Sequence, residues 1–120
     1  MKTIRILLST IFAFSLVAGL TACSNQEVAK VNAATIIDVR TAEEFEAGHL
    51  EGAINIDVES GDFDQLVSEL DLNGEYQLYC RSGRRSAIAT QKMQDLGFTS
   101  VTDLGSLEEA SATTGIAITQ

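Results

Sequence analysis

From residue 35 onward, short β-branched runs alternate with segments whose apolar residues recur at helical spacing. Thr35-Ile36-Ile37-Asp38-Val39 reads as a buried strand. Thr41 can cap the helix that follows, with Glu44 three residues on as its capping-box partner, Phe45 as its anchor to the core and Gly48 as its stop. His49-Leu50-Glu51-Gly52 is predicted as a turn and Ala53-Ile54-Asn55-Ile56 as a second short strand. After Gly61-Asp62, the residues Phe63, Leu66, Val67 and Leu70 fall at i, i+3, i+4 and i+7, which predicts a helix with that stripe against the core. Asn73-Gly74 turn the chain into a third strand, Tyr76–Tyr79. The loop Cys80–Gly83 leads into a helix from about Arg84 to Leu96, with Ile88, Ala89, Met93 and Leu96 as its apolar face and Gly97 closing it. A last short strand is predicted within Phe98–Thr102. Ser106 and Glu109 form a second capping box for a short terminal helix, and Gly115–Gln120 is a tail that covers an edge or stays loose.

Short strands alternating with helices predict an α/β fold, a short parallel sheet flanked by helices on both faces. In such sheets ligands collect at the carboxyl ends of the strands. Cys80 stands at that end of the third strand.

The amino-terminal pattern is different. Lys2 and Arg5 precede the apolar run Ile6–Leu20, the arrangement of a secretory signal, and the run is too short and interrupted for a membrane span. It ends in Leu20-Thr21-Ala22-Cys23, which resembles the lipobox of bacterial lipoproteins. Residues 1–22 are therefore expected to be a removed signal, Cys23 a lipidated mature N-terminus, and 23–34 a polar tether ahead of one domain over 35–120. The expected location is the cell envelope, on the periplasmic side if the cell has an outer membrane.

Removing the signal takes two of the eight basic residues and none of the 17 acidic ones. So acidic a body excludes nucleic acid as a natural partner. Half of the remaining basic residues are Arg81, Arg84 and Arg85, which marks one local anion site. With Cys23 lipidated, Cys80 is the one thiol left and no intramolecular disulfide is possible. The charged, glycine-containing surroundings argue for a used thiol over a simply buried one. Backbone N–H groups at a helix N-terminus favour an anion there, and the neighbouring guanidinium groups push the same way, so the thiol should ionise easily. No metal or cofactor is called for. His49 is a lone histidine in a turn with no second ligand at metal spacing.

The residues Ile37-Asp38-Val39-Arg40, Glu44-Phe45, Gly48-His49-Leu50, Gly52-Ala53-Ile54-Asn55 and Cys80-Arg81-Ser82-Gly83-Arg84-Arg85-Ser86 closely resemble the rhodanese-like domain family, over roughly Ile36 to Glu109. In its compact form behind a secretory signal, the chain is similar to the single-domain secreted thiosulfate sulfurtransferases of the phage-shock protein E type. The resemblance implies a compact three-layer rhodanese-like fold. It implies Cys80 as a nucleophile that takes a sulfane sulfur from thiosulfate or a similar anionic donor and passes it, through a persulfide, to cyanide or a thiol, including a thiol of a partner protein. The amides from Arg81 through Ser86 would cradle the sulfur, with Arg81, Arg84 and Arg85 around the mouth and Ser82 and Gly83 shaping the loop. Asp38 and Arg40 would be the structural pair beside it. Two features depart from the family pattern: Ser106 replaces a second glycine after Gly105, and Ala110 and Ala112 stand where an aromatic is usual.

Two other readings are set against this one. A cysteine phosphatase or arsenate reductase needs an arginine six residues after the cysteine, where this chain has Ser86. A lipid-anchored sulfur-delivery or binding module would show little turnover with small donors and a strong effect of a protein acceptor.

Overall fold

The computed structural model describes residues 34–120. The expected signal over 1–22, the lipidated Cys23 and all but the last residue of the expected tether lie outside them. Four strands form one parallel sheet: β1 (Thr35–Asp38), β3 (Ile54–Asn55), β4 (Glu75–Cys80) and β5 (Ser100–Ser106), in the order β3-β1-β4-β5. The helices between them are α1 (Ala42–Ala47), α2 (Phe63–Val67), α3 (Arg84–Asp95) and α4 (Leu107–Thr114). A separate antiparallel pair joins β2 (His49–Leu50) to β6 (Ile118–Thr119). Among the described residues, no helix is long and apolar enough to cross a membrane.

Side chains alternate across the sheet and divide the core in two. Ile37 and Val39 of the first strand region, and Tyr76, Leu78 and Cys80 of β4, pack with Phe63, Val67, Ala89 and Met93 of α2 and α3. Ile36 and Tyr79 face the opposite way, against Leu50, Leu104 and Ala110. Helices thus cover both faces of the sheet.

Several elements differ from the sequence expectation. His49-Leu50 is not a turn but a strand, because the tail returns to pair Ile118 with Leu50 and Thr119 with His49. The fourth strand begins one residue earlier than expected and takes in Cys80, so the thiol ends a strand instead of opening a loop. The last sheet strand runs to Ser106, and its pairing with β4 is interrupted by a bulge: Leu78 faces Asp103, but Tyr79 faces Gly105. An edge strand needs no apolar alternation, which is why Thr102 and Asp103 hid it. Phe45 does not reach the core; it is half-buried and stacks on the His49 ring at 3.7 Å.

The apolar stripes also shift. On α2, Phe63 and Val67 are buried while Leu66 is 43% exposed, because this helix ends after five residues and offers no neighbour to cover a wider face. On α3 the buried line is Ser86, Ala89 and Met93, leaving Ile88 at 45% and Leu96 at 42% exposure. The face is rotated by one residue so that a polar side chain, Ser86, points inward.

Met93 is fully buried and Leu66 is not, so urea unfolding should separate them. Met93→Ala is expected to cost about 2–5 kcal/mol and Leu66→Ser no more than about 0.5 kcal/mol. Equal losses would contradict the packing described here.

Candidate functional site

Cys80 has no exposed surface, and its Sγ accepts the Gly83 N–H at 2.9 Å. Two local features make that contact. Gly83 has φ +100°, a left-handed conformation strained for any residue with a side chain. Gly83 also occupies the N-cap of α3, and no side chain caps that helix. Its first-turn amides, which an Asp or Ser would otherwise occupy, are left for the sulfur.

The thiol is correspondingly shifted. Burial is the largest single effect and pushes it up. The Ser86 hydroxyl and the amides of Ser86, Gly83 and Ser82 push it down, and together they hold it below its ordinary value. A sulfur so placed can carry negative charge without a metal or a general base.

The arginines divide into two groups. Arg81 and Arg84 are exposed on the loop and the first turn of α3. Arg85, expected at the mouth as an anion contact, is half-buried and bound through both amino groups to Glu44, Nη1 to Oε1 at 2.8 Å and Nη2 to Oε2 at 3.0 Å, with Glu59 at 3.8 Å. That hydrogen bonding raises the Arg85 pKa further and pulls Glu44 down to about 2. Glu44 completes the α1 capping box with Thr41 at the same time, so one carboxylate ties α1 to the cysteine loop.

Asp38 and Arg40 form a buried pair behind the loop. The Arg40 Nε donates to Oδ1 at 2.9 Å and Nη2 to Oδ2 at 2.6 Å. The Arg40 Nη2 also donates to the Gly48 carbonyl at 2.6 Å, and its guanidinium lies 5.7 Å from the centre of the Tyr79 ring. Asn55 donates to the carbonyls of both Asp38 and Arg40, at 3.0 and 2.9 Å. The Tyr79 hydroxyl accepts the Leu50 N–H at 3.0 Å, and burial pushes that phenol well above its usual range. His49 is spent locally, its Nδ1 2.7 Å from the Phe45 carbonyl. Beside the loop, Arg40, Glu44, Ala47, Arg81, Leu107 and Glu108 line a cavity of about 200 Å³.

Two participants escaped the sequence reading. Glu44 was legible as a helix cap, but its hold on Arg85 spans 41 positions and leaves no local trace. Asp103, on an exposed edge strand, accepts from the Ser86 hydroxyl at 2.6 Å. No pattern in the neighbouring residues announces it.

A family model described as Rhodanese-like domain matches residues 23–112. The chain is 33% identical over 73 residues to thiosulfate sulfurtransferase PspE of Escherichia coli, a match spanning 61% of this chain and 70% of that protein. It is 37% identical over 76 residues to YrkF of Bacillus subtilis, whose name describes a sulfur carrier; there it spans 63% of this chain but only 40% of the relative. Among solved structures it resembles a rhodanese with anions from E. coli, with TM-score 0.63, 28% identity, and coverage of 73% of this chain and 99% of that one. It also resembles the human single-domain sulfurtransferase TSTD1, with TM-score 0.55, 30% identity, and coverage of 73% and 89%.

The Glu44–Arg85 contact has a pH signature. Glu44 titrates near 2 in the folded chain against an ordinary value of 4.5. A depressed carboxylate stabilises the fold fully above its ordinary value and loses that contribution as the pH falls through the folded one. Glu44→Gln keeps the helix cap and removes the charge. It should cost about 1 kcal/mol at pH 7 after allowance for partial exposure. In urea unfolding, the gap to the parent should close between pH 4.5 and 2; a gap independent of pH would assign the loss to something other than this pair.

Proposed function

The chain belongs to the rhodanese-like domain family, and from that premise we propose that it is a sulfurtransferase carrying a sulfane sulfur on Cys80. The observation that supports this most directly is the Cys80 sulfur at the end of a parallel strand, 2.9 Å from the amide of a left-handed glycine that opens an uncapped helix.

In the first step the Cys80 thiolate attacks the outer sulfur of thiosulfate. A Cys–S bond forms, the sulfur–sulfur bond of thiosulfate breaks, and sulfite leaves with the electron pair. The product is a cysteine persulfide anion, and the total charge is unchanged. The amides that face the thiolate then face this anion, and they need no reorganisation to do so. In the second step cyanide or a thiolate attacks the outer sulfur, and Cys80 leaves as the thiolate. Arg81 and Arg84, exposed beside the loop in an otherwise acidic chain, attract the anionic donor and the departing sulfite.

A thiol of a partner protein is a second acceptor class. The relative whose name describes a sulfur carrier favours delivery to such a partner over rapid turnover with small molecules. Anchoring at Cys23 and placement in the cell envelope belong to the same proposal, and their support is the lipobox-like run alone.

Intact-mass measurement of the full-length protein tests the chemistry. Thiosulfate should add the mass of one sulfur atom to the parent, cyanide should remove it, and Cys80→Ser, which retains Cys23, should show no adduct. A folded protein with a titratable Cys80 that takes no sulfur from thiosulfate, polysulfide or a thiosulfonate would overturn the sulfurtransferase reading.

A further inference from the structure

The Arg40 guanidinium has more N–H groups than its protein partners use. Nε donates to Asp38, and Nη2 donates to Asp38 and to the Gly48 carbonyl. Nη1 makes no hydrogen bond among the described residues, although the side chain is only 6% exposed. It is not sealed in, because the buried side-chain polar atom without a partner among those residues is the Thr90 hydroxyl oxygen. Arg40 lines the cavity beside the cysteine loop. Nη1 is therefore the part of this guanidinium left to meet a ligand there.

The other walls set the charge of the cavity. Arg40 is neutralised by Asp38, and Glu44 by Arg85. Arg81 and Glu108 are exposed, and among the described residues neither makes an ion pair. Glu108 stands in the first turn of α4, where the capping box occupies Ser106 and Glu109 and leaves Glu108 unused. One cavity thus joins a free cation to a free anion, and Ala47 and Leu107 add apolar surface. Its volume of about 200 Å³ is the share of roughly seven waters. Pockets for drug-sized ligands begin near ~300 Å³. The occupant that fits is a small metabolite with both charges and a short apolar stem.

We propose that this cavity holds an α-amino thiol, such as cysteine, as the acceptor of the sulfur on Cys80: its carboxylate meets Arg81 and the Arg40 Nη1, and its ammonium meets Glu108. The inference rests on the reading of Cys80 as a sulfur carrier and names the acceptor class for it. Arg81 directly follows Cys80 in the chain, so a molecule held by its side chain lies beside the cysteine loop. The acceptor thiol loses its proton to solvent, and the thiolate attacks the outer sulfur of the persulfide. A new sulfur–sulfur bond forms, the bond from that sulfur to Cys80 breaks, and Cys80 leaves with the electron pair. The product is an amino-acid persulfide, and no oxidant or reductant is consumed. A doubly charged anion in this cavity faces the Glu108 carboxylate, and like charges so placed are costly. A zwitterion matches both walls.

The test uses the full-length protein and two matched sets of probes. Serine, hydroxypropionate and ethanolamine are unreactive, and the last two each lack one of the two charges. In heteronuclear NMR titrations serine should shift the Arg81 and Glu108 amides and the Arg40 side-chain signal. It should saturate them at concentrations about tenfold below either partial analogue. Glu108→Gln should abolish the preference for serine over hydroxypropionate. Cysteine, mercaptopropionate and cysteamine are the reactive counterparts. On protein preloaded from thiosulfate, at equal and subsaturating thiolate concentration, cysteine should unload Cys80 about tenfold faster than the other two. Glu108→Gln should bring cysteine level with mercaptopropionate.

Serine that shifts none of these signals, or binds no better than hydroxypropionate, would overturn the proposal; the second result would leave a plain anion site. Equal unloading by all three thiols on a protein that does bind serine would also overturn it, because the cavity would then not serve the sulfur. A protein that takes no sulfur but binds serine through Arg81 and Glu108 fails the sulfurtransferase reading and keeps the cavity as an amino-acid site. The two failures are thus told apart.

Discussion

On the proposed function, a sulfur with no surface of its own has to hold negative charge, and that requirement shapes the rest of the site. Burial alone would keep Cys80 protonated. The compensation comes from the Ser86 hydroxyl and from backbone amides, and the amides are available because α3 starts on a glycine in a left-handed conformation and carries no side-chain cap. The helix end that a side-chain cap or water usually satisfies is here left facing the sulfur. This arrangement relies on backbone placement, so whatever fixes the start of α3 fixes the donors that the sulfur meets.

Two contacts fix it, one from each side. Glu44 reaches from α1 to Arg85, and Asp103 reaches from β5 to Ser86. Each holds a residue of the first turn of α3. Behind the loop, Asp38 and Arg40 satisfy one another inside the protein, with Asn55 and the Gly48 carbonyl taking up remaining bonding capacity. A buried pair of this kind contributes little net stability as a rule, because desolvation offsets the attraction, but losing one partner is costly. Here the pair ties the end of β1 to the Gly48 carbonyl and, through Asn55, to β3.

The arginines divide by environment. Arg40 and Arg85 are each committed to a carboxylate, while Arg81 and Arg84 stand in solvent beside the thiol. An acidic chain thus presents positive charge beside its cysteine loop, while the hydrogen-bond donors that bear on the sulfur itself are groups that do not titrate. The separation matters physically. Exposed guanidinium groups act at a distance and are screened by salt, whereas amides at hydrogen-bond distance act on the charge as it forms.

Much of this was legible along the chain, because the signals are local. Both capping boxes follow from spacing, the strand cores from β-branched runs, and the anion-favouring loop from a cysteine, a glycine and three arginines ahead of a helix. The motif set with its order and separation carried the family resemblance, and the α/β architecture with it. Other properties depend on which segments meet. His49-Leu50 became a strand only because the distant tail paired with it. Leu66, Ile88 and Leu96 ended exposed because the sheet met a different face of each helix than the apolar count suggested. Arg85 turned from the mouth to Glu44, and Asp103 came to Ser86 through a bulge. Local residues determine which conformations and chemistry a segment favours. Long-range packing decides which partner each side chain finds, since a hydrogen bond between positions 41 apart leaves no period in the sequence.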